Sequence, residues 1–250
     1  MPGIYRMAVL TILLTGLLCV TTLKQLTGST RRYGWWLLVG LPLSPVVNQF
    51  IKTPLIAFLA AATGTPLKLG LDVPIWFILL IWMNAPLFEE AIKLFPMLLP
   101  ASRNFLKEAP QALWAGLALG MGFGLGEAAY LASGIAQSPT YNQLPWYLFT
   151  GFALERLVVT FGHGLLTALA VLGLHYGRGR ALIGYLTAVG LHALINLGSI
   201  LSALKLLPAT LSSMGTYVAI LISFVLFQRS MSAAQTSSGI EKREILYFER

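Results

Sequence analysis

The sequence predicts an all-α fold, a polytopic membrane bundle of about seven transmembrane helices that encloses a polar site. Hydrophobic residues make up 56% of the 250 residues and charged residues only 10%, which excludes an ordinary soluble domain. Apolar segments of about 20 residues recur along the chain, the length that crosses roughly 30 Å of hydrocarbon as a helix. Acidic residues and histidines nevertheless lie inside these segments, where charge is costly and usually serves a function.

The predicted spans are helical because lipid offers backbone groups no hydrogen-bond partner. Their approximate ranges are 7–23, 34–61, 74–99, 109–134, 145–175, 181–204 and 208–228. The second contains Pro42, Pro45 and Lys52, which predicts either a broken helix or a span plus a re-entrant turn. The connections are short, so residues 1–228 are expected to form one domain. The polar residues 229–250 are expected to form a cytoplasmic tail.

Basic residues in the loops predict the orientation. One set of alternate loops is rich in them: Lys24, Arg31, Arg32, Arg103, Lys107, Arg178, Arg180 and Arg229. The other set holds only Arg6, Lys68 and Lys205. We therefore expect the N-terminus outside and the C-terminus in the cytoplasm, in a prokaryotic cytoplasmic membrane. The net charge of +8 is scattered over these loops, so no nucleic-acid partner is expected.

The third span carries Glu89, Glu90 and Lys93. Lys93 lies four residues after one carboxylate and three after the other, so it can pair with either on a helix. One lysine does not neutralise two carboxylates. Either the two share a proton, or a further cation or metal lies nearby.

Glycines at spacing four in the fourth span, Gly116, Gly120 and Gly124, predict close approach of a neighbouring helix. Glu127 lies on the same face and should be brought against that neighbour. Tyr130, three residues on, is near enough to orient it.

In the fifth span Arg156 can pair with Glu127 or with Glu155. His163 shares a face with Arg156, and Thr167 follows it by one turn and could bond its ring.

In the sixth span His192 and Asn196 share a face. At 1.5 Å per residue, Glu90, His163 and His192 fall roughly 14, 18 and 16 Å from the cytoplasmic ends of their spans. Three groups from three spans thus lie near one plane, where they can form one site.

These residue types suit peptide hydrolysis, which needs an activated water, an oxyanion donor and an acid for the leaving amine. A carboxylate with His163 can activate water, and His192 and Asn196 can donate to the oxyanion. Alternatively, the histidines and a carboxylate such as Glu127 bind zinc, and Glu89 or Glu90 becomes the base. The sequence leaves both mechanisms open.

Four motifs occur in this order within residues 74–200: Glu89-Glu90-x-x-Lys93, Gly126-Glu127-Ala128-Ala129-Tyr130, His163-x-x-x-Thr167 and His192-x-x-x-Asn196. Together they resemble the motifs of the PrsW/YhfC-like intramembrane peptidases, which are relatives of the CAAX prenyl endopeptidases. Lys93 stands where CAAX enzymes have Arg, which favours the PrsW side. The resemblance implies a helical bundle with a water-filled intramembrane site. It also implies that Glu89 and His163 activate water, while His192 and Asn196 form the oxyanion hole. Expected partners are the bilayer and a membrane-protein or lipidated-peptide substrate.

Two other classes of protein carry buried Glu and His. A non-catalytic membrane scaffold keeps such residues without cutting peptide bonds. A proton-coupled transporter uses them as a relay, although this sequence shows no inverted repeat.

Overall fold

The computed structural model describes residues 1–67, 70 and 73–237. Within them, the chain forms nine α-helices and no strand: α1 (Gly3–Thr27), α2 (Thr30–Gly40), α3 (Leu43–Val47), α4 (Thr53–Thr63), α5 (Ile75–Leu98), α6 (Ala109–Ala136), α7 (Thr150–His175), α8 (Arg178–Ala203) and α9 (Ala209–Ser237). Short 3₁₀ turns precede α6 at Pro100–Leu106 and α7 at Trp146–Phe149.

Seven helical stretches of the described chain are long and apolar enough to cross a membrane, which confirms the predicted number of spans. The last helix continues to Ser237, beyond the predicted span end at residue 228. Lys68 and the remainder of the predicted tail, residues 238–250, lie outside the described residues.

The second span, Thr30–Thr63, is a broken helix. It is interrupted at residues 41–42, close to Pro42 and Pro45, and passes through a π-helical turn at Asn48–Lys52 before α4 begins. The prolines explain the interruption, because each lacks the N–H that would continue the helical bonding pattern. The π turn widens the helix at the residues that lead to Lys52.

Helix α6 occupies the centre of the bundle, and glycines allow neighbours on two of its faces to approach it closely. A Cβ atom on Gly120 would lie 2.2 Å from the His163 carbonyl oxygen of α7, and one on Gly124 would lie 2.6 Å from the Thr160 Cα. On another face, a Cβ on Gly122 would lie 2.1 Å from the Leu37 carbonyl oxygen of α2. The predicted close packing along the glycine run is therefore confirmed.

Two side-chain bonds hold α5 against α8. The Trp82 indole N–H donates to the Ala193 carbonyl at 2.8 Å, and the Tyr185 hydroxyl donates to the Leu87 carbonyl at 3.0 Å. Because hydrocarbon offers no competing partners, these bonds help to fix the relative position of the two helices. The acidic pair of α5 consequently faces the histidine of α8.

Candidate active site

Glu90 joins the third span to the sixth. Its side chain is fully buried, and its Oε1 accepts from Lys93 Nζ at 2.6 Å and from His192 Nδ1 at 2.7 Å. Lys93 is 0% exposed, so this pair is removed from solvent. Of the two pairings that the spacing allowed, the chain uses Glu90 with Lys93.

Glu89 pairs with Lys52, which lies at the end of the π turn in the broken span. Lys52 is therefore the further cation that was expected as one alternative, because one lysine does not neutralise two carboxylates. In the sequence, Lys52 was one of the residues that indicated a broken helix or a re-entrant turn. A lysine inside an apolar span was itself a signal, since membrane-buried charges usually find an opposite charge.

His163 is held at both ring nitrogens. Lys93 Nζ lies 3.2 Å from Nδ1, and Glu127 Oε2 lies 3.1 Å from Nε2. An ammonium group can only donate, so Nδ1 is the acceptor and Nε2 carries the hydrogen donated to Glu127. The Phe123 ring packs edge-on against the imidazole with ring centroids 5.1 Å apart.

His192 has the opposite tautomer. Its Nδ1–H donates to Glu90, which leaves a lone pair on Nε2. That nitrogen lies 3.9 Å from Glu89 Oε2, a buried oxygen with no hydrogen-bond partner among the described residues. The His163 and His192 rings are 5.2 Å apart between centroids. The groups expected to share a plane therefore lie together, with two free acceptor atoms facing each other.

Arg156 links Glu127 to Glu155. Its guanidinium donates to Glu127 Oε2 at 2.6 Å and to Glu155 Oε1 at 2.8 Å. Both pairings considered from the sequence therefore form at once. Glu155 is 55% exposed at its side chain, whereas Arg156 is 9% exposed, so Arg156 lies at the edge of the buried cluster.

A small cavity of about 40 Å³ lies between α6, α7, α8 and α9. Arg156, His163, His192 and Asn196 contribute to its wall, together with Ser199 and Thr216. It is large enough for at least one water molecule. Asn196 therefore faces the same space as both histidines.

Two supporting residues have other contacts than expected. The Thr167 hydroxyl donates to the His163 backbone carbonyl at 2.8 Å, so the expected bond to the ring is wrong. A helical threonine bonds the carbonyl four residues earlier because that oxygen is the nearest acceptor. Tyr130 turns toward Thr53, with 3.5 Å between their hydroxyl oxygens, rather than toward Glu127.

Glu89, His163 and His192 form the one group in the described chain whose geometry suits a metal ion, with donor atoms within 4.8 Å of one another. Two imidazoles and a carboxylate are a ligand set that zinc accepts. The unpartnered Glu89 oxygen and the free His192 lone pair fit that role, and Glu90 orients His192 as carboxylates orient metal-bound histidines. The sequence had placed Glu127 in this set. Glu127 instead bonds Arg156 and the His163 ring.

Charge in the buried cluster is balanced when the histidines are neutral. Lys52, Lys93 and Arg156 face the carboxylates of Glu89, Glu90 and Glu127. Balance of this kind offsets much of the cost of burying charge in hydrocarbon. A metal ion bound to Glu89 would therefore compete with Lys52 for the negative charge of the Glu89 carboxylate.

Comparison with known proteins identifies the family. Residues 33–228 match the model of the PrsW family of intramembrane metalloproteases, which confirms the resemblance seen in the motifs. Searches of curated proteins and of solved structures returned no significant match. The matched range covers the broken span from residue 33 onward, with Lys52, as well as every residue of the buried cluster. The chain therefore belongs to the PrsW family of intramembrane metalloproteases.

Proposed function

We propose that this chain hydrolyses a peptide bond of a membrane-embedded substrate with a water activated by Glu89. One observation carries the proposal: the free Oε2 of Glu89 lies 3.9 Å from the free Nε2 of His192 inside a buried network of ion pairs. A carboxylate oxygen left without a partner in such a network is costly. Such an unpartnered oxygen is expected where a water molecule or a metal ion binds to it during the reaction.

Glu89 acts as the proton carrier. It removes a proton from the water as the oxygen adds to the scissile carbonyl carbon, and it returns that proton to the leaving amine nitrogen. Lys52 holds Oε1 of the same carboxylate, so Oε2 keeps a fixed direction. Fixing a general base in this way lowers the cost of orienting it during the reaction.

Asn196 and His192 stabilise the oxyanion. Both line the small cavity, which is large enough for a carbonyl oxygen. The Asn196 amide is one donor. In the form without a metal ion, a second proton on Nε2 would make His192 the other donor, with Glu90 stabilising the imidazolium through Nδ1.

The remaining charged residues position the catalytic groups. Glu127 and Lys93 fix the His163 ring from opposite nitrogens, and Arg156 holds Glu127. Glu89, His163 and His192 would hold a zinc ion, which would make a bound water acidic enough to ionise near neutral pH. His163 would exchange one of its present partners to do so.

The orientation is also a proposal. With seven spans the two ends lie on opposite sides, and the basic loops support an external N-terminus and a cytoplasmic C-terminus in a prokaryotic membrane. Residues 1–228 would then form one catalytic domain. The substrate is a membrane protein, and a lipidated peptide is the variant suggested by the CAAX relatives.

A map of new peptide N-termini in membranes tests the function. Membranes would express the wild type, Glu89→Gln, the double variant His163→Ala/His192→Ala, or Glu108→Gln as a control in the exposed loop before α6. We expect termini near membrane spans with the wild type and Glu108→Gln only. If the double variant produced the same new termini as the wild type, these histidines would not be catalytic. No new termini, with all proteins folded and abundant, would favour the scaffold or transporter classes.

A further inference from the structure

A second and larger cavity lies beside the buried cluster. It is an open groove of about 830 Å³ between the broken span and the C-terminal half of α6. We call it the polar groove after its polar lining residues Gln49, Thr53, Tyr130, Ser133 and Gln137, which lie among small and apolar ones. Its volume lies within the range of sites that bind ligands.

The polar groove adjoins the two helical segments that carry Lys52 and Glu127. Thr53 follows Lys52 directly, and Gly126, which also lines the groove, precedes Glu127. The hydroxyls of Thr53 and Tyr130 meet across it at 3.5 Å. A chain lying in the groove would therefore run beside the segments that carry Lys52 and Glu127.

The chemistry of the groove differs from that of the surfaces that face lipid. The outer face of α1 presents large apolar side chains, among them Leu13, Leu14 and Leu17. The groove has apolar wall residues as well, among them Pro45, Leu131 and Ile135, but it adds amides and hydroxyls to them. Among the described residues, the side chains of Gln49 and Gln137 have no hydrogen-bond partner, and Gln49 is exposed in the middle of a span. Lipid tails cannot satisfy an amide at that depth.

The length of the groove sets the size of its occupant. From Gly126 to Gln137 the α6 wall extends for roughly 16 Å at the helical rise per residue. That length accommodates roughly five residues of extended chain. A folded transmembrane helix, with its backbone already bonded internally, would gain little from amides and hydroxyls.

We propose that the polar groove binds an unwound, extended segment of the substrate polypeptide next to the scissile bond, an inference that rests on the proposed protease function. Unwinding frees backbone N–H and C=O groups that must find partners in the membrane. Amides and hydroxyls both donate and accept, so they suit a backbone of any sequence. Selection would then depend on how readily a segment unwinds rather than on its side chains.

Photo-crosslinking tests this assignment. The photoreactive residue benzoylphenylalanine is placed at position 134 in the groove or at position 190 on α8, in a chain that also carries Glu89→Gln. Both positions are helical glycines at which an added Cβ would meet nothing within 4 Å, so neither replacement forces a backbone clash at that atom. Crosslinked proteins are compared with those whose cleavage depends on the wild type in the N-terminus map.

Crosslinks from position 134, and not from position 190, to the mapped proteins would support the proposal. Crosslinks to phospholipid alone, or equal crosslinks from both positions, would overturn it and leave the protease function standing. An empty N-terminus map would overturn the protease function itself, and the groove assignment with it. The two failures are therefore distinguishable.

A pair of filled-groove variants gives an independent readout. Gly134→Leu places an apolar side chain in the groove, and Gly190→Leu makes the same change on α8. The leucine in Gly134→Leu should block two or three hydrogen bonds between the groove and the substrate backbone. That loss predicts about tenfold weaker cleavage of mapped substrates. The loss should appear as a raised KM with kcat retained, because the groove holds substrate without touching the reacting atoms. Equal cleavage by both variants would overturn the proposal.

Discussion

Two regions of the bundle hold the candidate site in different ways. In the most apolar stretch of α6, 83% of the residues are buried, whereas in the most apolar stretch of the broken second span the share is 17%. Helix α6 contacts α7 through backbone atoms at its glycines. Helix α4 instead packs in a small separate cluster, in which Ile56 and Ala60 lie with Val73 and Phe77.

The difference separates rigid from adjustable parts of the site. His163 and Glu127 lie on α7 and α6, where backbone contact fixes both residues. Glu89 is tied to the broken span by a side-chain ion pair with Lys52, in a region with fewer buried contacts. We infer that the α6–α7 contact maintains the geometry, and that the Lys52 side admits water, metal or substrate.

The largest expected effect comes from the proton carrier itself. Glu89→Gln keeps the shape of the side chain and removes its ability to accept a proton. We expect kcat to fall by about 10²- to 10⁴-fold, the range for loss of a general base. Cleavage of a substrate from the N-terminus map would be followed with purified protein, and Glu108→Gln should match the wild type. Retained kcat in Glu89→Gln would assign the base to another carboxylate.

The rigidity of the α6–α7 contact is tested by adding one methyl group. In Gly120→Ala the new Cβ would lie 2.2 Å from the His163 carbonyl oxygen, so α6 and α7 must separate. Overpacking of this kind costs about 1–3 kcal/mol in the free energy of unfolding. Thermal unfolding in detergent would measure it, and cleavage should also fall because His163 moves.

Gly190→Ala is the matched control for that change. Nothing lies within 4 Å of the Cβ that this substitution would add, so its stability should equal or exceed that of the wild type. If both variants were equally stable, the close α6–α7 contact would not be a source of rigidity.

The adjustable side is tested at Lys52. Lys52→Met removes the one cation that is hydrogen-bonded to Glu89 within the described chain. We expect kcat to fall about 10- to 100-fold, as for loss of a residue that orients a catalytic group. We also expect more zinc per chain after equilibration in zinc buffer, because an uncompensated buried carboxylate favours a cation. Elemental analysis would measure the zinc.

Lys52→Arg and Lys24→Met are the comparison variants for this experiment. The arginine keeps the charge and should restore most of kcat and the wild-type zinc content. Lys24 is exposed at the end of α1, and its loss should change neither quantity. Unchanged kcat and zinc content in Lys52→Met would show that the ion pair with Glu89 is incidental.

Apolar segment lengths were enough to predict the seven spans, and the glycine spacing was enough to predict which face of α6 is packed closely. Helical spacing also predicted that Lys93 would meet the acidic pair. The identity of the further cation was not predictable, because the approach of Lys52 to Glu89 depends on the interrupted helix and the π turn that precede α4. The tautomers of His163 and His192 likewise depend on partners from other spans.

The smallest expected effect concerns Thr167. Its hydroxyl bonds the His163 backbone carbonyl, which also accepts within the helix, so the imidazole gains nothing from it. Thr167→Val keeps the shape and loses the hydroxyl. We expect stability within about 1 kcal/mol of the wild type and kcat within about twofold. A tenfold fall in kcat with unchanged stability would instead place the hydroxyl in contact with the reacting groups. The α6–α7 contact would then contribute directly to the reaction and would no longer be only the rigid part of the site.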